Sequence, residues 1–379
     1  EIMNELSNAG LYPMKPSIKD IMILVSQLIL KGYTVSLVLD NGDQHSHVSP
    51  KYQERALLVA RSLTDTLRTI TILTLREESF FRSTMSGALD AFVPPVFHIS
   101  SPSFETLIRY RIDYFLRLLG MSDDQIRLIT RSAISFSDKE TLKNVFEIIR
   151  DSLRSSRSIG RDILRFLADI SGNNMRVALY FFRTFLVSGN TDISEMLYLD
   201  QRDRMRGGVG YQIPLHHVMK SIILEHSRIY SESTSRVMNL FDVNPQYTNS
   251  HFVYLRILKY LYDRLGYHSP YGEGYVGIDD ILREAEELLM NSTAIADSLK
   301  KMARFGLVEF ENQSKEGYDS ATCVRITNTG SYYLNELAYR FAYLDLVWMD
   351  TPVSDPGLVR ELLKHVIELK GYKNEQDLD

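Results

Sequence analysis

Apolar positions recur at helical spacing from Ile18 to Leu30 and break at Gly32, which predicts a helix over 18–30. Thr34 to Leu39 is a short, partly β-branched apolar run closing on Asp40, and its length and composition predict a buried strand. Pro50 to Leu67 returns to helical spacing through Leu57, Leu58, Ala60 and Leu63. Thr69 to Leu75 is strongly β-forming. Pro94-Pro95 then interrupts the chain, and Val96 to Ile99 predicts one more short strand. Strands alternating with helices predict a parallel α/β sheet.

Beyond Pro102 the pattern changes. Helical spacing covers Phe104–Leu119, Ser122–Ser135, Lys139–Leu153, Ile159–Ser171 and Met175–Val187, with no proline to interrupt it. Ser188-Gly189-Asn190 closes that block. Residues 191–250 are read as a helical linker, broken at Gly207-Gly208-Val209-Gly210 and at Pro245. Further helices are predicted at His251–Leu265, at Ile278–Leu289 and from the Asn291-Ser292-Thr293 cap to Phe305. Two alternating runs, Leu307–Glu311 and Thr322–Thr327, predict strands. Asn328 is expected to cap one long helix over Ser331–Trp348. The expected fold class is thus α/β followed by all-α, with boundaries near 1–100, 101–190, 191–250, 251–348 and 349–379.

Composition narrows the class without identifying it. Of 379 residues, 44% are hydrophobic and 24% charged, which excludes a disordered, collagen-like or disulfide-stapled chain. Cys323 is the one cysteine, so no disulfide forms within the chain, and a reducing cytoplasm is expected. The longest apolar run, Ile21 to Leu30, falls far short of the roughly 20 residues a bilayer span needs, so no membrane is expected. The chain opens on Glu1 and is read as a piece of a longer polypeptide. Charge is uneven: residues 51–250 hold 26 basic and 22 acidic residues, whereas residues 251–379 hold 14 and 21. In the middle segment 22 of the 26 cations are arginine, the side chain suited to fixed contacts with phosphate or carboxylate.

An apolar strand that delivers an aspartate at its carboxyl end suits a magnesium–nucleotide site, because Mg²⁺ takes oxygen ligands and keeps several waters. Asp40 occupies that place, Asp43 and Gln44 follow within a turn, and the second strand run ends at Arg76. Val35-Ser36-Leu37-Val38-Leu39-Asp40-Asn41-Gly42-Asp43-Gln44 resembles the Walker B segment of STAND-type P-loop NTPases. Ile72-Leu73-Thr74-Leu75-Arg76 resembles their sensor-1 strand. The resemblance implies ATP and Mg²⁺ as ligands, with Asp40 on the metal and Arg76 sensing the nucleotide. Asp43 and Gln44 fall on the hydrolysis positions, and Gln44 stands where an acid is usual. Gly172-Asn173-Asn174-Met175-Arg176 is similar to the start of the last lid helix in AAA+ and origin-recognition-type ATPases, which implies a phosphate-contacting role for Arg176.

No G-x-x-x-x-G-K-[ST] occurs in the chain, so the phosphate cradle of these families is expected upstream of Glu1, with a degenerate pseudo-ATPase as the rival account. Residues 251–347 resemble a winged-helix domain, carried by Ala294–Glu309 and by Arg325-Ile326-Thr327-Asn328-Thr329-Gly330. Winged helices read DNA through their third helix, which makes Lys300, Lys301, Arg304 and the wing residue Lys315 the nucleic-acid candidates. Residues 251–347 hold 10 basic and 14 acidic residues, a poor balance for DNA, so a protein contact or self-assembly is the expected use of the module. His216-His217 and His226 lack partners at metal-ligand spacing. Arg150, Arg154, Arg157, Arg161 and Arg165 recur at helical spacing, as a solvated face or as a contact for a phosphate-bearing or acidic partner. The combined expectation is an ATP-dependent switch of the STAND/AAA+ kind, serving signalling or antiviral defence. An origin-recognition-like DNA-binding ATPase and a non-catalytic scaffold are the alternatives.

Overall fold

A computed structural model describes residues 18–42, 51–75, 95–99, 102–130, 138–154, 156–243, 250–269, 272–287, 291–311, 321–353, 355, 357–362 and 364. The chain is mixed, dominated by helix, with small sheets of two or three strands. It divides into two compact units, Glu1–His98 and Ile99–Asp379.

In the first unit, α1 (Ile18–Leu30), β1 (Ser36–Leu39), α2 (Lys51–Leu67) and β2 (Ile70–Leu73) follow one another. Gly32, at φ +85°, ends α1 and donates its N–H to the Ile29 carbonyl at 2.8 Å. A left-handed residue there suits glycine, which carries no Cβ penalty. The strands pair in parallel, with Ser36 opposite Ile70 and Leu39 opposite Leu73, and α2 connects them and packs on β2. The expected buried strands are only half covered. Val38 is 60% exposed and Ile70 and Ile72 about half exposed, while Leu37, Leu39, Thr71 and Leu73 on the opposite face are partly buried. Apolar composition sets strand formation, and burial depends on how many layers pack on the sheet. Val96–Ile99 forms no strand: Phe97 and Ile99 are almost fully exposed, and Pro95 brings no N–H to a ladder.

The second unit begins with α3 (Phe104–Leu119), α4 (Asp123–Thr130), α5 (Lys139–Ser152), α6 (Ser158–Ile170) and α7 (Met175–Val187). Ser103, Asp138 and Asn174 cap α3, α5 and α7 by accepting from backbone N–H groups of the first turn. Next come α8 (Ile193–Met205) and α9 (Leu215–Leu224). Ile222 and Ile223 of α9 are wholly buried, so the stretch read as a linker lies within the core.

Residues 225–243 have no regular structure, yet Val237, Met238, Asn239 and Leu240 are all fully buried. Their polar groups are answered by side chains from far along the chain. The Met238 N–H donates to the Tyr333 hydroxyl at 3.1 Å, and the Leu240 N–H to the Tyr343 hydroxyl at 2.8 Å. Tyr343 in turn donates to the Met238 carbonyl at 2.7 Å, and Asn239 Nδ2 donates to the Val347 carbonyl. Buried backbone groups left unpaired would each cost about 1–3 kcal/mol, so these hydroxyls are what allow irregular chain into the core.

The remainder is α10 (Val253–Tyr262), an antiparallel pair of two-residue strands, β3 (His268–Ser269) and β4 (Gly272–Glu273), then β5 (Val276–Gly277), α11 (Ile278–Glu287), α12 (Ser292–Arg304), β6 (Val308–Phe310), β7 (Cys323–Ile326) and α13 (Asn328–Asn335). Strands β5, β7 and β6 form an antiparallel sheet in that order. The expected long helix 331–348 is broken: α13 gives way to a 3₁₀ turn at Leu337–Tyr339, and α14 (Phe341–Val347) starts after an extended Arg340. Neither proline nor glycine marks this break. It accompanies the placement of Tyr333 and Tyr343, buried on consecutive helices, with their hydroxyls at the 238–240 backbone. The cap of α13 is Thr327, not Asn328, because the Thr327 hydroxyl accepts from the Gly330 N–H at 3.1 Å.

Candidate functional site

Asp40 directly follows β1, at its carboxyl end, and is exposed. Its Oδ1 accepts from the Asn41 N–H at 3.0 Å and from the Thr74 hydroxyl at 2.6 Å. The Asn41 N–H also reaches Thr74 Oγ1, and the Gly42 N–H donates to the Thr74 carbonyl at 3.2 Å. The two parallel strand ends are thereby clasped through one carboxylate oxygen, with Asn41 in the left-handed region at φ 57°. Asp40 Oδ2 has no hydrogen bond among the described residues. One anionic oxygen of this kind suits Mg²⁺, which is usually held by one or two carboxylates and completes its shell with waters and phosphate oxygens. Asp43, Gln44 and Arg76, the other expected members of this site, lie outside the described residues, as does the wing residue Lys315.

Arg176 belongs to the second unit, in the first turn of α7, with its side chain exposed. The helix start itself is already satisfied. Asn174 Oδ1 accepts from the N–H groups of Arg176 and Val177 at 3.0 and 3.4 Å. The preceding turn, with Gly172 and Asn173 both near φ 60°, packs against α13, where Thr329 donates to the Asp169 carbonyl. An anion here would be met by the Arg176 guanidinium more than by free helix amides.

The cations of α12 divide sharply. Lys301 Nζ lies 2.5 Å from Glu232 Oε2 and 2.5 Å from Asp242 Oδ2, over the Tyr254 ring, and its side chain is only 18% exposed. Burial works against the ammonium charge, but Tyr254, Asp242 and Glu232 outweigh it and hold the Lys301 pKa above the ordinary lysine value. Arg304 is mostly exposed and reaches Glu232 at 3.5 Å, and Lys300 is exposed. Lys301 is therefore committed to acids of the 225–243 segment. The sequence reading missed Glu232 and Asp242 because no local spacing links them to α12; only the fold brings them there.

The arginine stripe also separates. Arg150 and Arg154 both face Asp151, while Arg165 pairs with Asp169 and Glu336, joining α6 to the residue after α13. Asp169 has a pKa raised by its own burial, against the pull of Arg165. His216 and His217 stack edge to face at 4.5 Å, and burial with His216 beside it lowers the His217 pKa. No metal-holding group of His, Cys, Asp and Glu occurs among the described residues. Cys323 is buried in β7 and its thiol pKa is raised by that burial, the opposite of a nucleophile's setting. No helix among the described residues is long and apolar enough to cross a membrane. No protein-family profile, curated protein or solved structure matches this chain.

Proposed function

We propose that the chain is part of an ATP-dependent conformational switch of the STAND/AAA+ kind, acting in signalling or antiviral defence. The observation that carries the reading is Asp40 at the carboxyl end of a parallel strand, tied at 2.6 Å to Thr74 of the neighbouring strand end. Ligands of open α/β sheets bind outside those strand ends. Asp40 holds Mg²⁺, and the ion supplies charge neutralisation for the phosphates. Asp43 and Gln44 orient water, and Arg76 senses the nucleotide. The reading needs the lysine and backbone cradle of a P-loop, a motif that these 379 residues do not contain. Residues 253–326, running α10, β5, α11, α12, β6, β7 with the sheet order β5-β7-β6, support a winged-helix reading. The pairing of Lys301 with Glu232 and Asp242 favours protein contact over DNA for that module.

The test is Asp40→Asn in the intact gene product carrying residues 1–379. Asparagine keeps an oxygen for Thr74 and Asn41 but removes the charge the metal needs. Mg²⁺-dependent ATP hydrolysis is expected to drop about 100-fold or more, with the thermal midpoint nearly unchanged. Normal hydrolysis in the variant would overturn the metal role of Asp40.

A further inference from the structure

A cleft of about 510 Å³ opens in the second unit between α3, the end of α5 and α6, and its chemistry is unlike that of the strand-end site. That volume lies within the range of small-molecule sites. Its floor is apolar: Ile108, Ile112, Leu153 and Leu164. Around it stand Arg109, Arg150 and Arg154, with Glu105 and Asp113 on α3. Glu105, Arg109 and Asp113 recur every fourth residue, so they form one stripe along α3 on the side of the cleft opposite Arg150 of α5 and Arg154 just beyond it.

The arginines carry more donors than their neighbours accept. Among the described residues Asp151 is the one carboxylate paired with both Arg150, at 3.6 Å, and Arg154, at 3.0 Å, and it also serves Arg204 at 3.8 Å. Arg150 Nε and Asp151 Oδ1, 3.6 Å apart, are both buried from solvent without a hydrogen-bond partner among the described residues. Arg109 forms no ion pair among them, its guanidinium lying 5.9 Å from the Tyr110 ring centre. Each guanidinium offers five N–H donors in a fork that matches an oxoanion. The exposed guanidiniums of Arg109 and Arg154 on the rim are the donors that an oxoanion in the cleft would meet.

We propose that this cleft binds a small organic phosphate bearing hydroxyl groups: a sugar phosphate or a nucleoside monophosphate. Arg109, Arg150 and Arg154 take the phosphate. The apolar floor takes the carbon face of the sugar, and Asp113 accepts from its hydroxyls. Such a ligand bridges α3 to the α5–α6 corner and stabilises the helical block that contains it.

The test uses thermal unfolding of the full chain in Mg²⁺-free buffer containing EDTA, with ribose 5-phosphate, AMP and inorganic phosphate as probes. The organic phosphates are expected to raise the midpoint saturably, and inorganic phosphate about tenfold less tightly. AMP binding tighter than ribose 5-phosphate identifies a nucleoside ligand; equal or weaker binding identifies a sugar phosphate. Arg109 and Arg154 are exposed, so the double variant Arg109→Gln/Arg154→Gln retains the fold and is expected to weaken binding about tenfold or more. Asp113→Ala weakens the organic phosphates and leaves inorganic phosphate unchanged. Arg304→Gln, remote in sequence and outside the cleft, changes nothing. Unchanged affinity in the double variant, equal affinity for inorganic phosphate, or no shift with any probe would overturn the proposal. Asp40→Asn should leave the response intact, which separates this outcome from that of the strand-end reading.

Discussion

Lys301 is the residue on which the reading of the carboxyl-terminal module turns. In sequence it is one of three cations on a helix that resembles a DNA reader. In the structure it is a clamp, held between Glu232 and Asp242 and four-fifths buried. Lys301→Met keeps the apolar stem but leaves both acids without their main cation. The expected loss is about 2–3 kcal/mol, less than for a fully buried pair because both acids retain some solvent contact. It is checked by denaturant unfolding at pH 7. The pH sign follows from the raised lysine pKa: the contribution is present below 10.5 and fades as pH rises through the folded value. As pH rises, wild type and variant should therefore converge in stability in strong alkali. Asp40 shows how the same residue type serves two readings, since a strand-end aspartate that ties a turn also presents a second oxygen.

At the scale of elements, most of the described helices follow directly from spacing and caps, and α1 and α7 run as expected to the residue. What spacing cannot see is chain that is buried without periodicity. Residues 237–240 sit fully buried because Tyr333 and Tyr343, about a hundred positions later, donate and accept for them. The same partnership accompanies the break of the expected 331–348 helix, which no glycine or proline announces. The candidate site was legible only where strand and loop chemistry coincide, at Asp40. Of the arginine cleft, the sequence showed Arg150 and Arg154 as part of a stripe but not Arg109, which lies on a helix that only packing brings beside them. Gly160 gives a test of that packing. A Cβ there would lie 2.2 Å from the Arg154 carbonyl oxygen and 2.8 Å from that of Ser152. Helix propensity alone favours Gly160→Ala by up to about 1 kcal/mol, but the clash with backbone reverses the sign. A net loss of about 1–3 kcal/mol is expected in thermal or denaturant unfolding.

Across the whole molecule, charge and architecture argue together. The chain carries a net −5, and residues 251–347 hold 10 basic against 14 acidic residues, with Lys301 neutralised internally. Phosphate neutralisation dominates DNA affinity, so a mobility-shift assay at about 150 mM salt should find weak binding without sequence preference. Lys300→Ala with Arg304→Ala should leave it unchanged. The account's central claim is that the γ-phosphate of ATP changes the protein's conformational state. Amide hydrogen exchange on the intact gene product, compared between a Mg²⁺-bound, slowly hydrolysed ATP analogue and Mg²⁺·ADP, tests it most directly. The predicted result is slower exchange with the triphosphate at Gly42 and Thr74, whose N–H groups clasp the strand ends. A change of about threefold or more is also expected in residues 229–243 or 298–305, which carry the Lys301 clamp. Superimposable exchange in both nucleotide states across all of these segments would contradict the switch.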